Sequence, residues 1–155
     1  MAKGKNVPAG YNTATPLLCV KCVTDAIDFY KQAFDAVEVM RIEGPDGQIG
    51  HGEITVGDSM IMLSQERADV GFLSAQTLGA SPVSLFLYFD DVDAMMARAI
   101  GAGATLLKPA ADKFYGDRIG FVKDPFGYTW IIGTRTKEVS LDDVKKLAAT
   151  GQAAG

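Results

Sequence analysis

The chain carries a single histidine, His51, two residues before Glu53. In a strand, residues i and i+2 share a face, so this spacing presents an imidazole and a carboxylate side by side. The pair could serve as a general base. Alternatively, the imidazole, the one side chain that titrates near neutrality, could orient an anionic or amide-bearing ligand. A plainer reading has His51 hydrogen-bonding Glu53 or Asp117 to close a polar cluster. Tyr115 and Arg118 flank Gly116 near a strand start, where they could clamp a ligand at a rim; equally, Arg118 could pair with Asp117 or Asp124 on the surface. Cys19 and Cys22 fit C-x-x-C, but Cys19 falls inside an expected strand and Cys22 just past its end, rather than at a helix N-terminus. They read as a small apolar residue and an incidental thiol. No Walker loop or G-x-G-x-x-G motif is present, and one histidine leaves little room for a Ser-His-Asp arrangement.

Positioning these groups requires regular elements. Thr15 to Val20 is a short apolar strand candidate. From Thr24 the period changes: Ala26, Phe29, Tyr30, Ala33 and Phe34 mark one face of a helix, with Thr24 as its expected cap. Val37 to Glu43 reads as a strand, and Gly44-Pro45-Asp46-Gly47 as a turn. Gln48 to Val56 and Ser59 to Ser64 are two further strands joined at Gly57-Asp58. Residues Gln65 to Ser81 show no period and read as a linker. Val83 to Phe89 is then a strand, with Asp90 the expected cap of a helix marked by Val92, Met95, Met96, Ala99 and Ile100. One constant offset carries Thr24 onto Asp90, Ala26 onto Val92, Ala33 onto Ala99, Gly50 onto Gly116 and Val56 onto Val122, which is the mark of an internal duplication. Ser140 and Asp143 have capping-box-like spacing ahead of a C-terminal helix reaching Ala149.

The expected architecture is therefore α+β: two tandem βαβββ modules whose sheets curve into an open barrel with a cleft, followed by a helix. The modules fall at residues 12–66 and 82–135, with a linker at 67–81. These form a single domain over 11–135, between a polar N-terminal extension (1–10) and a C-terminal helical tail (136–155). If Leu18, Val20, Ile54, Val56, Leu85 and Leu87 face the helices, the cleft receives Thr15, Leu17, Cys19, His51, Glu53, Thr55, Ser84, Phe86, Tyr88, Asp117, Ile119 and Phe121. Such a lining suits a flat or aromatic organic ligand better than a compact sugar phosphate. Trp130 alternates to the helix side, as core.

The chain's 155 residues suffice for one domain, and 48% hydrophobic content with 22% charged residues describes a folding chain. A net charge of −4 with scattered Lys and Arg argues against nucleic acid. No membrane span or signal core is evident, and the cysteine usage makes the cytoplasm the expected location.

Ala26-Ile27-Asp28-Phe29-Tyr30-Lys31-Gln32-Ala33-Phe34 resembles the first-helix signature of the vicinal oxygen chelate superfamily (glyoxalases, bleomycin-resistance proteins and dioxygenases). Asp124-Pro125-Phe126-Gly127-Tyr128-Thr129-Trp130 resembles its second-half hairpin. Tyr115-Gly116-Asp117-Arg118, Asp90-Asp91-Val92-Asp93-Ala94 and Gly44-Pro45-Asp46-Gly47 are similar to the PhnB-like branch. The resemblance implies a homodimer. It also implies four metal-ligand points on the first and innermost strands of both halves, here Thr15, Glu53, Ser84 and Ile131, of which only Glu53 is a competent donor. PhnB-like relatives commonly carry a second histidine where this chain has Phe86. The leading expectation is a metal-free binder of a small organic ligand contacting Thr15, His51, Glu53, Ser84, Phe86, Tyr88, Tyr115, Asp117 and Arg118. The alternative is a metal-dependent glyoxalase- or dioxygenase-like enzyme that holds a divalent ion at His51 and Glu53, helped by Asp117, which the repeat places opposite His51.

Overall fold

The computed structural model describes Asn6–Gly151. Residues 1–5 and 152–155, parts of the expected extension and tail, lie outside the described residues. The fold is α+β and divides at Ser81/Pro82 into two compact units.

In the first unit, β1 (Leu17–Val20) leads through α1 (Val23–Phe34) to β2 (Val37–Glu43), β3 (Ile49–Val56) and β4 (Ser59–Gln65). The sheet order is β1-β4-β3-β2, with β1 parallel to β4 and the remaining pairs antiparallel. α1 lies on one face because its inner stripe is continuous: Ala26, Ile27, Tyr30 and Ala33 are fully buried. Gly52 lets it approach β3, since a Cβ there would lie 2.8 Å from Ile27 Cδ1 and 2.9 Å from Val23 Cγ1. The expected linker is partly regular. A 3₁₀ turn (Ala68–Val70) precedes α2 (Ala75–Leu78), and the Ser74 cap and Thr77 both donate to the Glu66 carboxylate.

The second unit repeats the plan with β5 (Ser84–Tyr88), α3 (Val92–Gly101), β6 (Thr105–Asp112), β7 (Asp117–Lys123) and β8 (Thr129–Arg135), ordered β5-β8-β7-β6. α4 (Leu141–Ala149) follows, and Ser140 accepts from the Asp143 N–H as the capping spacing predicts. Trp130 is fully buried, and its indole N–H donates to Asp124 Oδ2 at 2.7 Å.

Two local expectations are corrected. α1 begins at Val23 with Cys22 as its cap residue, so Thr24 sits inside the first turn and caps nothing; Cys22 thus stands at a helix N-terminus after all. In α3 the cap is Asp91, which accepts from the Ala94 N–H at 2.9 Å, not Asp90. Tertiary bonds decide this start: the Phe89 N–H is taken by Gly133 O and the Val92 N–H by Thr134 Oγ1.

The constant repeat offset is not kept: α1 starts at Val23 and α3 at Val92, so Val23 and Ile27, rather than Ala26 and Tyr30, answer Val92 and Met96. Gly52 pairs with Leu63 beneath α1, and Gly120 pairs with Ile132 beneath α3. Gly52 and Gly120 are therefore counterparts, which makes Asp117 the counterpart of Ile49 and not of His51. The second unit has a longer joint between helix and strand and a longer strand in β6, but a shorter turn before β7.

Candidate functional site

Each sheet has a face turned away from its helix, and strand alternation decides what stands there. In the first unit, the ladder puts Leu17, Met62, Glu53 and Met40 in one row across that face. Glu53 is only 4% exposed. Its Oε1 lies 3.1 Å from His51 Nε2, so the i, i+2 spacing does bring these two side chains together. Its Oε2 accepts a hydrogen bond from the Tyr11 hydroxyl, which reaches in from the segment before β1. Burial would raise the Glu53 pKa, but the hydrogen bonds from Tyr11 and His51 and the nearby imidazole outweigh it and hold the carboxyl below its ordinary value. Tyr11 moves the opposite way: its bond to Glu53, then burial, then the carboxylate charge raise the phenol pKa. Thr15 lies before β1 and donates to Asn12 O at 3.1 Å, away from Glu53.

The second unit places different chemistry on the equivalent face. The row runs Phe86, Ile131, Phe121, Lys108. β5 alternates as expected, with Leu85 and Leu87 buried and Ser84, Phe86 and Tyr88 exposed. The Phe86 and Tyr88 rings are in contact, with centroids 4.7 Å apart and planes tilted by 35°. Tyr88 donates to Asp117 Oδ2 at 2.8 Å, and Arg135 Nε donates to Asp117 Oδ1. Asp117 is 2% exposed, so this buried carboxylate is satisfied by a phenol and a guanidinium. The hydrogen bond to Asp117 is the main cause of a raised pKa in both Tyr88 and Arg135. A groove of about 350 Å³ lies alongside, lined by Tyr88, Phe89, Asp90, Thr134 and Arg135.

Tyr115 and Arg118 part company. Tyr115 is half-buried in the turn before β7, its ring edge-on to Phe114 at 5.2 Å, and burial followed by the Asp117 charge raises its pKa. Arg118 sits one residue from Asp117 and so points to the opposite face. There it pairs with Asp93 at 2.8 and 2.9 Å and with Asp112 at 3.4 Å, rather than with Asp117 or Asp124.

The expected metal points also shift. Ile131 lies on β8, beside the first strand of its unit; its counterpart in the first unit is Met62 on β4, and Glu53 is one strand further out on β3. The positions flanking Met62 and Ile131 on the first strands are Leu17 and Phe86, not Thr15 and Ser84. Four apolar side chains therefore hold these points. Among the described residues, no three His, Cys, Asp or Glu side chains converge as a metal site would require. This donor set does not fit a divalent ion. Tyr11 and Arg135 were not singled out from sequence. Counting pairs back from the Asp124–Tyr128 turn would have placed Arg135 opposite Asp117 as a cross-strand charge pair. Tyr11 follows no period and has no comparable signal.

Two four-stranded sheets in tandem, each backed by one helix, define a duplicated βαβββ protein with an open face on each sheet. Residues 12–132 match the Glyoxalase/Bleomycin resistance protein/Dioxygenase superfamily, and the chain belongs to that superfamily. It is 39% identical over 134 residues to the uncharacterised protein Mb0911c of Mycobacterium bovis, covering 84% of this chain and 88% of that one. TioX from Micromonospora sp. ML1 shares the fold with a TM-score of 0.63 at 21% identity, covering 83% of this chain and 100% of TioX. The PhnB protein of Bacillus cereus does so with a TM-score of 0.61 at 16% identity, covering 79% of this chain and 99% of that one. Among the described residues, no helix is long and apolar enough to cross a membrane.

Proposed function

We propose that the protein binds a small aromatic molecule without using a metal ion. The observation that carries this reading is the aromatic pair on β5: Phe86 and Tyr88 are 42% and 59% exposed, yet their rings touch each other beside the groove at Arg135. Large apolar rings held outward at a groove with a few polar groups are what an aromatic ligand stacks upon. The Asp117 carboxylate fixes the Tyr88 hydroxyl and the Arg135 guanidinium, so the polar edge of the platform is set before a ligand arrives. The ligand is held by stacking and hydrogen bonds and leaves unchanged. A homodimer is part of the proposal, since exposed apolar side chains such as Val37, Val39 and Ile42 would gain from a second copy.

The test is a titration with 1-anilinonaphthalene-8-sulfonate, a fluorescent aromatic anion. Saturable binding at one site per chain is expected, unchanged by a chelator and weakened about tenfold by Phe86→Ala, from the area and stacking lost. Equal affinity for wild type and Phe86→Ala would remove this platform from the site.

A further inference from the structure

The first unit holds a buried carboxylate gripped by a phenol from outside its sheet. Tyr11 stands 42 residues from Glu53 in sequence, in a segment without regular structure. The other hydrogen bonds of that segment are local turns: Tyr11 N–H to Pro8 O at 3.2 Å and Thr15 Oγ1 to Asn12 O at 3.1 Å. Among the described residues, the Tyr11 hydroxyl alone hydrogen-bonds Asn6–Thr15 to the sheet. Glu53 is flanked in its row by Met62 and Met40, with Leu17 beyond; Leu17 and Met40 remain 47% and 40% exposed.

We propose that Tyr11 is a built-in occupant of a phenol-binding site, which opens when this segment yields to a ligand phenol that donates to Glu53 Oε2. The inference goes beyond the aromatic platform of the second unit and does not depend on it. The chemistry selects the class. Glu53 is only 4% exposed and has one oxygen on His51 and one on Tyr11, so a ligand donor gains Oε2 by displacing the Tyr11 hydroxyl. An incoming group must donate a hydrogen bond, which a ligand carboxylate cannot do and would be repelled for attempting. It must also present a ring to lie on Leu17 and Met40, which an aliphatic alcohol lacks.

The experiment titrates the full chain with 4-nitrophenol, at a pH where the free phenol is neutral, and with nitrobenzene, the same ring without the hydroxyl. Tyr11→Phe removes the internal donor and keeps the ring, so it should bind 4-nitrophenol about tenfold more tightly than wild type, the scale of a hydrogen bond to a charged group. The double variant Tyr11→Phe/Glu53→Gln should lose that gain, and nitrobenzene should not distinguish Tyr11→Phe from wild type. On the wild-type chain, 4-nitrophenol should speed chymotryptic cleavage after Tyr11 while nitrobenzene does not. Unchanged 4-nitrophenol affinity in Tyr11→Phe, an equal gain for nitrobenzene, or no change in cleavage would each overturn the proposal. The gain in 4-nitrophenol affinity from Tyr11→Phe should be the same in a Phe86→Ala background, which separates this site from the platform on β5.

Discussion

Asp124 gives the most direct test of how the second unit is held together. Its carboxylate is 4% exposed and accepts hydrogen bonds at both oxygens: Oδ1 from the N–H groups of Phe126 and Tyr128 at 2.9 Å each, and Oδ2 from the Trp130 indole at 2.7 Å. Asp124→Asn keeps the shape but has only one oxygen. If that oxygen stays on the two backbone donors, the amide NH₂ faces the indole N–H, donor against donor. Each buried donor left unsatisfied costs about 1–3 kcal/mol, and the bonds that survive lose their charge assistance. The expected loss is about 3 kcal/mol, large for a near-isosteric change. With a urea m-value of about 2 kcal/mol/M, the midpoint should fall by about 1.5 M. Trp130 is the only tryptophan, so its fluorescence follows unfolding of the element it anchors. In a Trp130→Phe background, followed by far-UV circular dichroism, the same substitution should cost about 1 kcal/mol less, because the opposed donor is gone. A change below about 0.5 kcal/mol in the wild-type background would show that the carboxylate does not carry these bonds.

Three further outcomes are expected. The Glu66 carboxyl is held at about 2 by hydrogen bonds from the Ser74 and Thr77 side chains and the Ser74 N–H. A depressed folded value means stability that is present above the ordinary carboxylate range and lost as pH falls toward about 2, so urea midpoints should drop across that window and drop less in Glu66→Gln. Gly52→Ala should destabilise by about 1–3 kcal/mol through overpacking against Ile27 and Val23, and Ile27→Val, which removes the Cδ1 methyl, should recover part of the loss in urea denaturation. Arg118→Ala should leave 1-anilinonaphthalene-8-sulfonate affinity unchanged because Arg118 faces α3, whereas Arg135→Ala should weaken it several-fold.

The legible parts of the fold were those set by local chemistry. β2 spans Val37–Glu43 as read, and Ser140 caps α4, because alternation and capping spacing act within a few residues. The misplaced caps of α1 and α3 show where local reading ends: Asp90 and Asp91 are equally good cap residues, and the bonds that Phe89 and Val92 N–H donate to Gly133 and Thr134, more than forty residues on, select the second. The repeat offset failed for a related reason. Joints between elements absorb extra residues, so the offset that carries Ala26 onto Val92 cannot be carried through to His51 and Asp117. Within the site, the His51–Glu53 contact followed from a period of two, while the partners that complete each carboxylate, Tyr11 and Arg135, come from a distant segment and from a neighbouring strand.

The two units differ where function would reside and agree where stability does. Beneath the helices, Gly52, Ile54 and Leu63 answer Gly120, Val122 and Ile132, a match demanded by close packing. On the opposite faces the rows diverge: an acid between two methionines in one unit, and two phenylalanines, an isoleucine and a lysine in the other. Packing does not require this divergence, since both faces of these sheets could have stayed apolar at lower electrostatic cost than burying Glu53 and Asp117. Each buried carboxylate is instead matched by a tyrosine hydroxyl and one nitrogen side chain, His51 in the first unit and Arg135 in the second. The same device stands at two non-equivalent positions, on β3 and at the start of β7. Both faces thus present a carboxylate held by a phenol, and the paired titrations of Phe86→Ala and Tyr11→Phe test whether the two proposed sites take part in binding.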